Sequence, residues 1–480
     1  MQSEQILAEE VMLLRQENAF LKQELAQMKR MIFGSKKERF IATDHAQQSL
    51  FEQEEAAPVS EEQDITYKRK KPSKHNAKRL LLPAHLPREQ EVIEPEGLDT
   101  ENSVKIGEKI AEVLEYTPGK FYVAKTVRPV YKQADETITV AELPTQVIPS
   151  GNAGATLLAY LLVSKFIDHL PFYRQAQIFK RDGMKIPEST ITGWFKKACD
   201  LLQPLYEHMC EQIRGSDYIQ ADESPIPVLT SQKPGSTHKG YQWVFLLPKS
   251  KLVVFQYHQS RGQQVPCEVL AEFKGCLQTD GYAGYGRLSK KEAITHIVCM
   301  AHARRKFEAA LENDKERATY ALDLIQQLYQ IERTTQERCL STDQIKALRQ
   351  EKSVPLLDAL KSWMEEIYPQ VLPKSAIGKA IAYSLKLWPQ LCRYTDNGEW
   401  SVDNNAVENK IRPLALGRKN YLFAGSHNAA QQAAMMYSLF GTCKLNNVEP
   451  LEWLIQTLKK IPETKLSNLN TLLPTKKPDA

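Results

Sequence analysis

Apolar residues recur every seven positions near the beginning of the chain and predict a coiled coil. Two such series run side by side with an offset of four residues: Leu7, Leu14, Leu21 and Met28, and Val11, Asn18, Leu25 and Ile32. These spacings are typical of the d and a positions of a coiled coil, and a polar Asn18 at an a position fixes register in parallel dimers. We therefore expect residues 1–40 to form a zipper that makes the protein a homodimer or a higher oligomer. Packing of the same helix on its own domain is the alternative.

Residues 41–80 lack this repeat and predict a linker. Residues 44–66 are acidic and polar, whereas residues 68–79, KRKKPSKHNAKR, form a concentrated basic run. Low hydrophobicity and blocks of like charge are typical of segments that bury too little apolar surface to fold. Two interpretations of the basic run stay open: contact with DNA phosphates, or a solubilising linker.

The pattern of apolar and polar residues changes at residue 81 and predicts a small β-rich module over residues 81–150. Apolar and polar residues alternate over much of KFYVAKTVRPVYK, which is typical of a half-buried strand. Pro144 and the segment 149–154, which contains a proline and two glycines, mark the exit from this module.

Residues 151–212 have a helical pattern and predict a helix-turn-helix region. A first helix ends at the glycine turn Asp182–Gly183, and a second is expected to begin at a cap on Ser189 or Thr190. The second helix would present Thr192 and two lysines, Lys196 and Lys197. Contact with DNA through this helix and simple helix packing are both open.

From residue 213 onward, short apolar runs predict the strands of an α/β core. The first strand is YIQADES, and Pro225 and Pro227 are expected to end it. The next elements are a hairpin of YQWVFLL (241–247) and KLVVFQY (251–257), a helix over 262–273, and two further strands in CLQTD and THIVCM (295–300). Three strands followed by a helix, a strand, a helix and a strand is the order of an RNase H-like sheet.

The remaining segments complete a multidomain α/β fold. We predict the first part of the core over 213–310, a large helical insertion over 311–398, the second part of the core with C-terminal helices over 399–462, and a loose polar tail over 463–480. The chain thus combines an N-terminal coiled coil, a small β-rich module, a helix-turn-helix region and an RNase H-like catalytic core.

Composition restricts the class of protein without identifying it. The chain has 480 residues, 42% of them hydrophobic, and a formal net charge of +5, which is too small to indicate a nucleic-acid partner by itself. No apolar run is long enough to span a bilayer and no signal pattern opens the chain, so we expect no membrane partner and a cytoplasmic location. None of the eight cysteines forms a CxxC pair, which argues against a zinc ribbon or a disulfide framework.

Three acids from distant parts of the chain predict a divalent-metal site. Asp222 lies at the end of the first strand, Asp280 at the end of the fourth strand, and Glu408 on a later helix. Carboxylates are the ligands that Mg²⁺ prefers, and two ions about 3.5–4 Å apart clamp the attacking and leaving oxygens in phosphoryl transfer. Glu223 and Asp403 are rivals. Glu223 should face the opposite side of its strand, and Asp403 is expected to cap the following helix.

Basic and polar residues near these acids are candidates for DNA contact or for support of the site. His302, in CMAH, either hydrogen-bonds near the site or to a phosphate, or is a structural histidine. Arg412 follows Glu408 by four residues and is explained by an ordinary helix ion pair. The predicted DNA-binding set is Lys196, Lys197, Arg304, Arg305, Arg418 and Lys419, with the last two expected in a loop beside Gly417.

Four segments carry a family resemblance. IQADESPIPVL, LQTDGYAGY, CMAHARRKF and SVDNNAVENKIRPLALGRKNYLFAGS closely resemble the insertion-sequence 66 family of DDE transposases. The resemblance implies an RNase H-like catalytic domain with a helical insertion, acting on transposon ends. It also implies that Asp222, Asp280 and Glu408 are the catalytic triad and the ligands of two Mg²⁺ or Mn²⁺ ions.

The resemblance further implies a reaction and a set of partners. Water would nick the strand, and the freed 3′-OH would then attack target DNA. Double-stranded DNA is the expected partner, with small accessory proteins as further candidates. Related proteins carry paired cysteines before the β-rich module, but residues 80–150 contain none here, so zinc binding is poorly supported. A structure-selective nuclease with the same acids and a catalytically inert DNA-binding subunit are the alternative functions.

Overall fold

A computed structural model describes residues 153–229 and 235–475, together with residues 119, 121–123, 130–132, 138–140, 146–148 and 151. The predicted zipper, the linker and most of the β-rich module lie outside these residues. The described residues from 130 onward belong to one unit, whereas Gly119 and residues 121–123 belong to a separate unit, residues 36–125. Within the predicted module, β1 (Val130–Lys132) and β2 (Ile138–Val140) form an antiparallel pair.

Three helices occupy the predicted helical region: α1 (Ala155–Phe166), α2 (Phe172–Arg181) and α3 (Glu188–Arg214). The glycine turn between α2 and α3 is present, with a φ of +82° at Gly183 that glycine adopts freely. The predicted caps at Ser189 or Thr190 were wrong. Helix α3 begins earlier, because Pro187 at φ −61° supplies the extended residue before its first turn.

One five-stranded sheet organises the rest of the chain. Its strands are β3 (Tyr218–Leu229), β4 (Thr237–Leu247), β5 (Leu252–His258), β6 (Gly275–Thr279) and β7 (Ile294–Val298), in the order β5-β4-β3-β6-β7. The predicted β4–β5 hairpin is confirmed, and β3 pairs antiparallel with β4 but parallel with β6, as β6 does with β7. Helix α4 (Gln264–Val269) is shorter than predicted. The chain therefore leaves β6 beside the first half of β3.

Strand β3 continues through Pro225 and Pro227, so the prediction that they end it was wrong. The carbonyl of Pro227 accepts a hydrogen bond from the N–H of Ala424 at 2.9 Å, on the side away from β4. In an antiparallel strand the N–H and C=O of one residue point to the same side, so the missing N–H groups of both prolines also face away from β4. No hydrogen bond of the β3–β4 pair is therefore lost. Proline is tolerated in a sheet at such positions, where the missing N–H faces away from the paired strand.

A helical region follows β7, as predicted. Its helices are α5 (Met300–Glu308), α6 (Lys315–Glu337), α7 (Thr342–Leu348), α8 (Val354–Ile367), α9 (Ala376–Lys386) and α10 (Trp388–Cys392). A buried ion pair holds this insertion together, since Arg349 bonds to both carboxylate oxygens of Glu332 at 2.9 and 2.6 Å. The same guanidinium donates to the carbonyls of Tyr394 and Asn397, which lie past α10.

Three helices close the fold: α11 (Asn405–Tyr421), α12 (His427–Asn446) and α13 (Pro450–Lys460). Helix α12 packs on β5, the edge strand of the sheet. The hydroxyls of Ser438 and Thr442 accept hydrogen bonds from the backbone N–H groups of Phe255 (2.8 Å) and Val253 (3.2 Å). These bonds satisfy backbone groups that an exposed edge would leave unpaired.

Two predictions for the C-terminal region were wrong. Arg418 and Lys419 lie in the last turn of α11 and not in a loop. Gly417 permits close packing instead of a turn, because a Cβ atom there would lie 2.6 Å from the hydroxyl of Tyr437. The tail is also not loose as far as residue 475. A 3₁₀ helix over Leu466–Leu472 buries two leucines, and the carbonyl of Leu472 accepts from the indole of Trp453 at 3.0 Å.

Apolar side chains form two cores. One joins α1–α3, both faces of β4 and β5, α12 and α13, and the other joins β7, α5 and the insertion helices. None of the helices that the structure describes is long and apolar enough to cross a membrane.

Candidate active site

The parallel pairing of β3 with β6 brings Asp222 and Asp280 to equivalent positions. Gln220 lies opposite Gln278, and each aspartate comes two residues later on its strand. Neighbouring strands lie about 4.8 Å apart and positions in register share a face. The two aspartates that the sequence predicts are therefore neighbours, with Asp222 within β3 and Asp280 directly after the end of β6.

Asp222 lies in an environment that disfavours its negative charge. Burial, and the nearby charges of Glu223, Asp280 and Glu408, raise the pKa of Asp222 to about 8. The backbone N–H of Glu223, which donates to Asp222 Oδ1 at 2.7 Å, offsets this only in part. The three acids of the predicted triad thus interact electrostatically, although they come from β3, the end of β6 and α11.

A tight turn and the helical insertion hold Asp280. Its Oδ1 accepts the N–H of Tyr282 at 2.8 Å, and its carbonyl accepts the hydroxyl of Tyr383, on α9, at 2.7 Å. Gly281 has a φ of +84°, and a Cβ atom there would lie 2.8 Å from Leu387. The insertion therefore reaches the end of β6 and fixes the backbone at Asp280.

Glu408 lies in the first turn of α11 and is bound by the guanidinium of Arg305, from α5. The two guanidinium nitrogens donate to the two carboxylate oxygens at 2.7 and 3.3 Å, a bidentate geometry. His302 Nδ1 lies 3.7 Å from Glu408 Oε1, and Arg305 also lies 3.2 Å from His302 Nε2. His302 and Arg305 therefore both lie at the third carboxylate.

Cys299, His302 and Glu408 offer ligand atoms that lie within 4.8 Å of one another. Burial raises the pKa of the Cys299 thiol to about 12, so this residue stays protonated at neutral pH. Its sulfur accepts the N–H of Asn404 at 3.4 Å. Burial also lowers the pKa of His302, while the charge of Glu408 opposes that effect. The donor set of this cluster thus contains a neutral thiol and fits a hard cation poorly.

Glu223 faces away from Asp222, as predicted. Its side chain is 1% exposed, and Arg261 lies 2.6 Å from its Oε1 while the hydroxyl of Tyr285 donates to Oε2 at 3.1 Å. Arg261 in turn stacks over the ring of Tyr282 at 3.9 Å. The sequence analysis missed Arg261, Tyr285 and Tyr383, because nothing in their local sequence marks them as neighbours of the acids.

Asp403 precedes α11 and accepts the N–H of Asn405 at 3.1 Å, but the N-cap residue of the helix is Asn404, so the predicted cap at Asp403 was one residue out. Its other oxygen accepts the hydroxyl of Tyr329 at 2.8 Å. The expected Glu408–Arg412 pair is not formed between these two described residues, since Arg305 binds Glu408 and the Arg412 side chain is exposed.

The predicted DNA-binding residues occupy two parts of the unit. Arg304 and Arg305 lie on α5, where Arg304 pairs with Glu308 at 2.7 Å and Arg305 with Glu408. The lysines of α3 are exposed, and so is Lys419, whereas Arg418 donates to the carbonyl of Pro225, three residues past Asp222. Arg305 and Arg418 are thus the members of the set that contact the catalytic region directly.

Family models match most of the chain. The model "Transposase IS66 family" matches residues 150–432, "Transposase C of IS166 homeodomain" matches 20–90, and "IS66 C-terminal element" matches 438–475. Uncharacterized protein y4jD of Sinorhizobium fredii (strain NBRC 101917 / NGR234) is 31% identical over 483 residues, which is 95% of this chain and 94% of the relative. Uncharacterized protein y4qI of the same strain is 34% identical over 434 residues, or 85% of this chain and 79% of the relative.

Proposed function

The chain belongs to the IS66 transposase family, and from that premise we propose that it is a DNA transposase acting on the ends of an insertion sequence. It binds those ends, nicks them by metal-assisted hydrolysis and joins the freed 3′-OH to target DNA. The observation that carries the proposal is the register of β3 and β6, which makes Asp222 and Asp280 neighbours, with Glu408 of α11 near enough for its charge to raise the pKa of Asp222.

The catalytic core is RNase H-like in this proposal. Three antiparallel strands extended by two parallel strands, in the order β5-β4-β3-β6-β7, support that assignment. In such a sheet the central strand and its parallel neighbour carry the first two acids, and a later helix carries the third. Asp222, Asp280 and Glu408 occupy those places.

The chemistry of the three carboxylates fits a pair of Mg²⁺ or Mn²⁺ ions. Asp222 is protonated in part at neutral pH because it is buried beside like charges, and a cation there would relieve that repulsion. Asp222, Asp280 and Glu408 would hold the ions. When bound, such ions activate the attacking oxygen and stabilise the leaving oxygen.

The protein residues around the carboxylates orient the site. Tyr383 and the turn at Gly281 fix Asp280, and Arg261 with Tyr285 keeps Glu223 away from the reacting groups. Arg305 holds Glu408 through both oxygens, and its charge also suits a DNA phosphate. Binding of a phosphate by Arg305 would release Glu408 toward the other two acids.

Binding of DNA is assigned to several basic groups. Lys196 and Lys197 on α3 and Lys419 on α11 are exposed cations that suit contacts with the phosphate backbone. The match of residues 20–90 to a homeodomain model supports a further DNA-binding segment near the N-terminus. Dimerisation through the zipper of residues 1–40 would pair two element ends in one complex.

The test uses the DNA that flanks this gene, purified full-length protein and Mg²⁺ or Mn²⁺. We expect nicks at the element ends, followed by joined products. Ends that carry a 3′-dideoxy nucleotide should bind equally well but give no joined product, because the attacking hydroxyl is absent. Nicking without joining under all conditions would contradict the transposase assignment and indicate a nuclease. Binding without any metal-dependent cleavage would indicate an inert DNA-binding subunit.

A further inference from the structure

The chain between α11 and α12 exposes two large apolar side chains in a strained turn. Leu422 is 63% exposed and Phe423 is 40% exposed. Leu422 has φ +63° and ψ −45°, and the carbonyl of Tyr421 accepts the N–H of Phe423 at 2.7 Å. This is a three-residue γ-turn of the rare, strained hand. A leucine at positive φ is unfavourable where glycine would serve, and such strain concentrates at functional sites.

Anchors on both sides maintain the turn. The hydroxyl of Tyr421 lies 3.0 Å from that of Tyr437, on α12. On the other side, Ala424 donates to the carbonyl of Pro227 and accepts from the N–H of Leu229, both at 2.9 Å. Ala424 is therefore fixed to β3, the strand that carries Asp222. The two apolar residues between these anchors are left at the surface.

The surroundings of this turn are positively charged. The chain has no acidic residue between Glu408 and Glu449, and Arg418 and Lys419 lie in the last turn of α11. Arg174, on α2, donates to the side chain of Asn420 at 3.2 Å, which brings another cation to the same surface. Exposed apolar residues beside cations suit a partner with both a polyanionic backbone and stacked apolar faces, which is duplex DNA.

We propose that Leu422 and Phe423 form a wedge that inserts between base pairs of the bound element end. Such wedges unstack one base step and bend the duplex, and the bend allows more contacts with the protein. Ala424 pairs with Val228, six residues past Asp222, so the wedge lies about 20 Å along β3 from the catalytic carboxylates. It therefore meets the duplex several base pairs from the cleaved phosphate. This inference rests on the proposed function.

The test places the fluorescent base 2-aminopurine at successive positions of the flanking-DNA duplex. Full-length protein should increase the fluorescence at one step several base pairs from the nick, and a mismatched pair at that step should strengthen binding about tenfold, because less unstacking is needed. Leu422→Gly keeps the turn, since glycine adopts positive φ freely, and removes the side chain. Combined with Phe423→Ala, it should abolish both effects.

Two control variants make the result specific. Leu466→Ala removes an apolar side chain that is 73% exposed on the C-terminal 3₁₀ helix, and it should change neither the fluorescence nor the mismatch preference. Lys419→Ala should weaken binding to paired and mismatched duplexes equally, since a phosphate contact does not depend on stacking.

Three results would overturn the wedge. Parent protein that cleaves ends without fluorescence change or mismatch preference would refute the wedge and leave the proposed function standing. A change of sedimentation in the Leu422→Gly, Phe423→Ala variant, with unaltered DNA binding, would assign the pair to contact between copies of the chain. Parent protein that binds neither duplex would refute the wedge and the proposed function together.

Discussion

Adjacent residues Asp222 and Glu223 show how one strand gives two carboxylates different roles. Alternation along β3 directs Glu223 into a buried contact with Arg261 and Tyr285, while Asp222 joins Asp280 and Glu408. Glu223 therefore has its charge compensated by protein groups. Within the part of the chain that the structure describes, no cationic side chain pairs with Asp222, which suits it to bind an external cation.

This difference predicts an unusual gain of stability on substitution of Asp222. Burial beside like charges raises its pKa from 3.8 to about 8, so the native state binds more protons than the unfolded state between those values. The free energy of unfolding then falls as pH rises through that window. Without metal, Asp222→Asn should be more stable than the parent by about 2 kcal/mol at pH 8. The gain should be small at pH 4, close to the unfolded-state pKa of 3.8, and should vanish below it, where Asp222 is protonated in both states.

Denaturant unfolding in EDTA, at pH 4 and pH 8, measures this effect. Glu223→Gln is the matched control. Burial also raises the pKa of Glu223, but Arg261 and Tyr285 oppose that effect, so this substitution should change the stability at pH 8 less than Asp222→Asn does. Mn²⁺ should raise the unfolding midpoint of the parent but not that of Asp222→Asn. Equal destabilisation by both substitutions would show that Asp222 is stabilised by protein contacts.

At the scale of elements, one buried ion pair joins separate segments of the insertion, in addition to their apolar core. Arg349 and Glu332 are 4% and 12% exposed at their side chains, and the guanidinium also ties α6 to the segment after α10. Tyr383 on α9 holds the backbone of Asp280, so disorder of the insertion helices would also loosen the position of Asp280.

Arg349→Ala should therefore destabilise the insertion strongly. Removal of one member of a buried pair leaves an uncompensated charge and costs about 3–5 kcal/mol. Hydrogen exchange of α6–α10 should accelerate in the variant, while that of β4 and β5 changes little. The control Lys361→Ala breaks an exposed pair with Glu365 and should cost about 0.5 kcal/mol or less. Exchange that is unaffected by Arg349→Ala would show that apolar packing alone orders the insertion.

Elements with a clear hydrophobic period were predictable from the sequence, and their boundaries were less so. The strands of the sheet were found because their apolar runs are short and bounded by turn residues. The predicted strand end at Pro225 and Pro227 was wrong, because a strand tolerates proline on its unpaired side and the sequence does not show which side of β3 is paired. The predicted loop at Gly417 was wrong because the role of this residue is set by Tyr437, which packs from another helix.

At the scale of the whole molecule, the acids of the site were predictable while their supporting residues were not. Asp222, Asp280 and Glu408 stand in segments with a family resemblance. Arg261 and Tyr383 reach the site only through tertiary packing, which no local pattern encodes. Local charge spacing suggested Arg412 as the partner of Glu408, but a helix from another part of the chain supplies Arg305 instead.

The zipper predicts the oligomeric state of the complete chain, although its residues lie outside those described. Leu14→Lys combined with Leu21→Lys places charges at two d positions and should convert a dimer into a monomer in sedimentation experiments. Gln16→Lys, at an outward f position, should leave the dimer intact. We expect the monomeric variant to bind a single element end but to give no joined products. A parent chain that sediments as a monomer would contradict this account.

The most direct test of the central claim compares metal-dependent cleavage of the flanking DNA by the parent, Asp222→Asn and Glu223→Gln. The two substitutions remove neighbouring carboxylates of similar size, of which Glu223 is bound by Arg261 and Tyr285 while Asp222 lies in register with Asp280. We predict that Asp222→Asn abolishes end-specific nicking in Mg²⁺ and Mn²⁺, whereas Glu223→Gln retains it within about tenfold. Cleavage that survives in Asp222→Asn, or is lost only in Glu223→Gln, would contradict the proposed catalytic site.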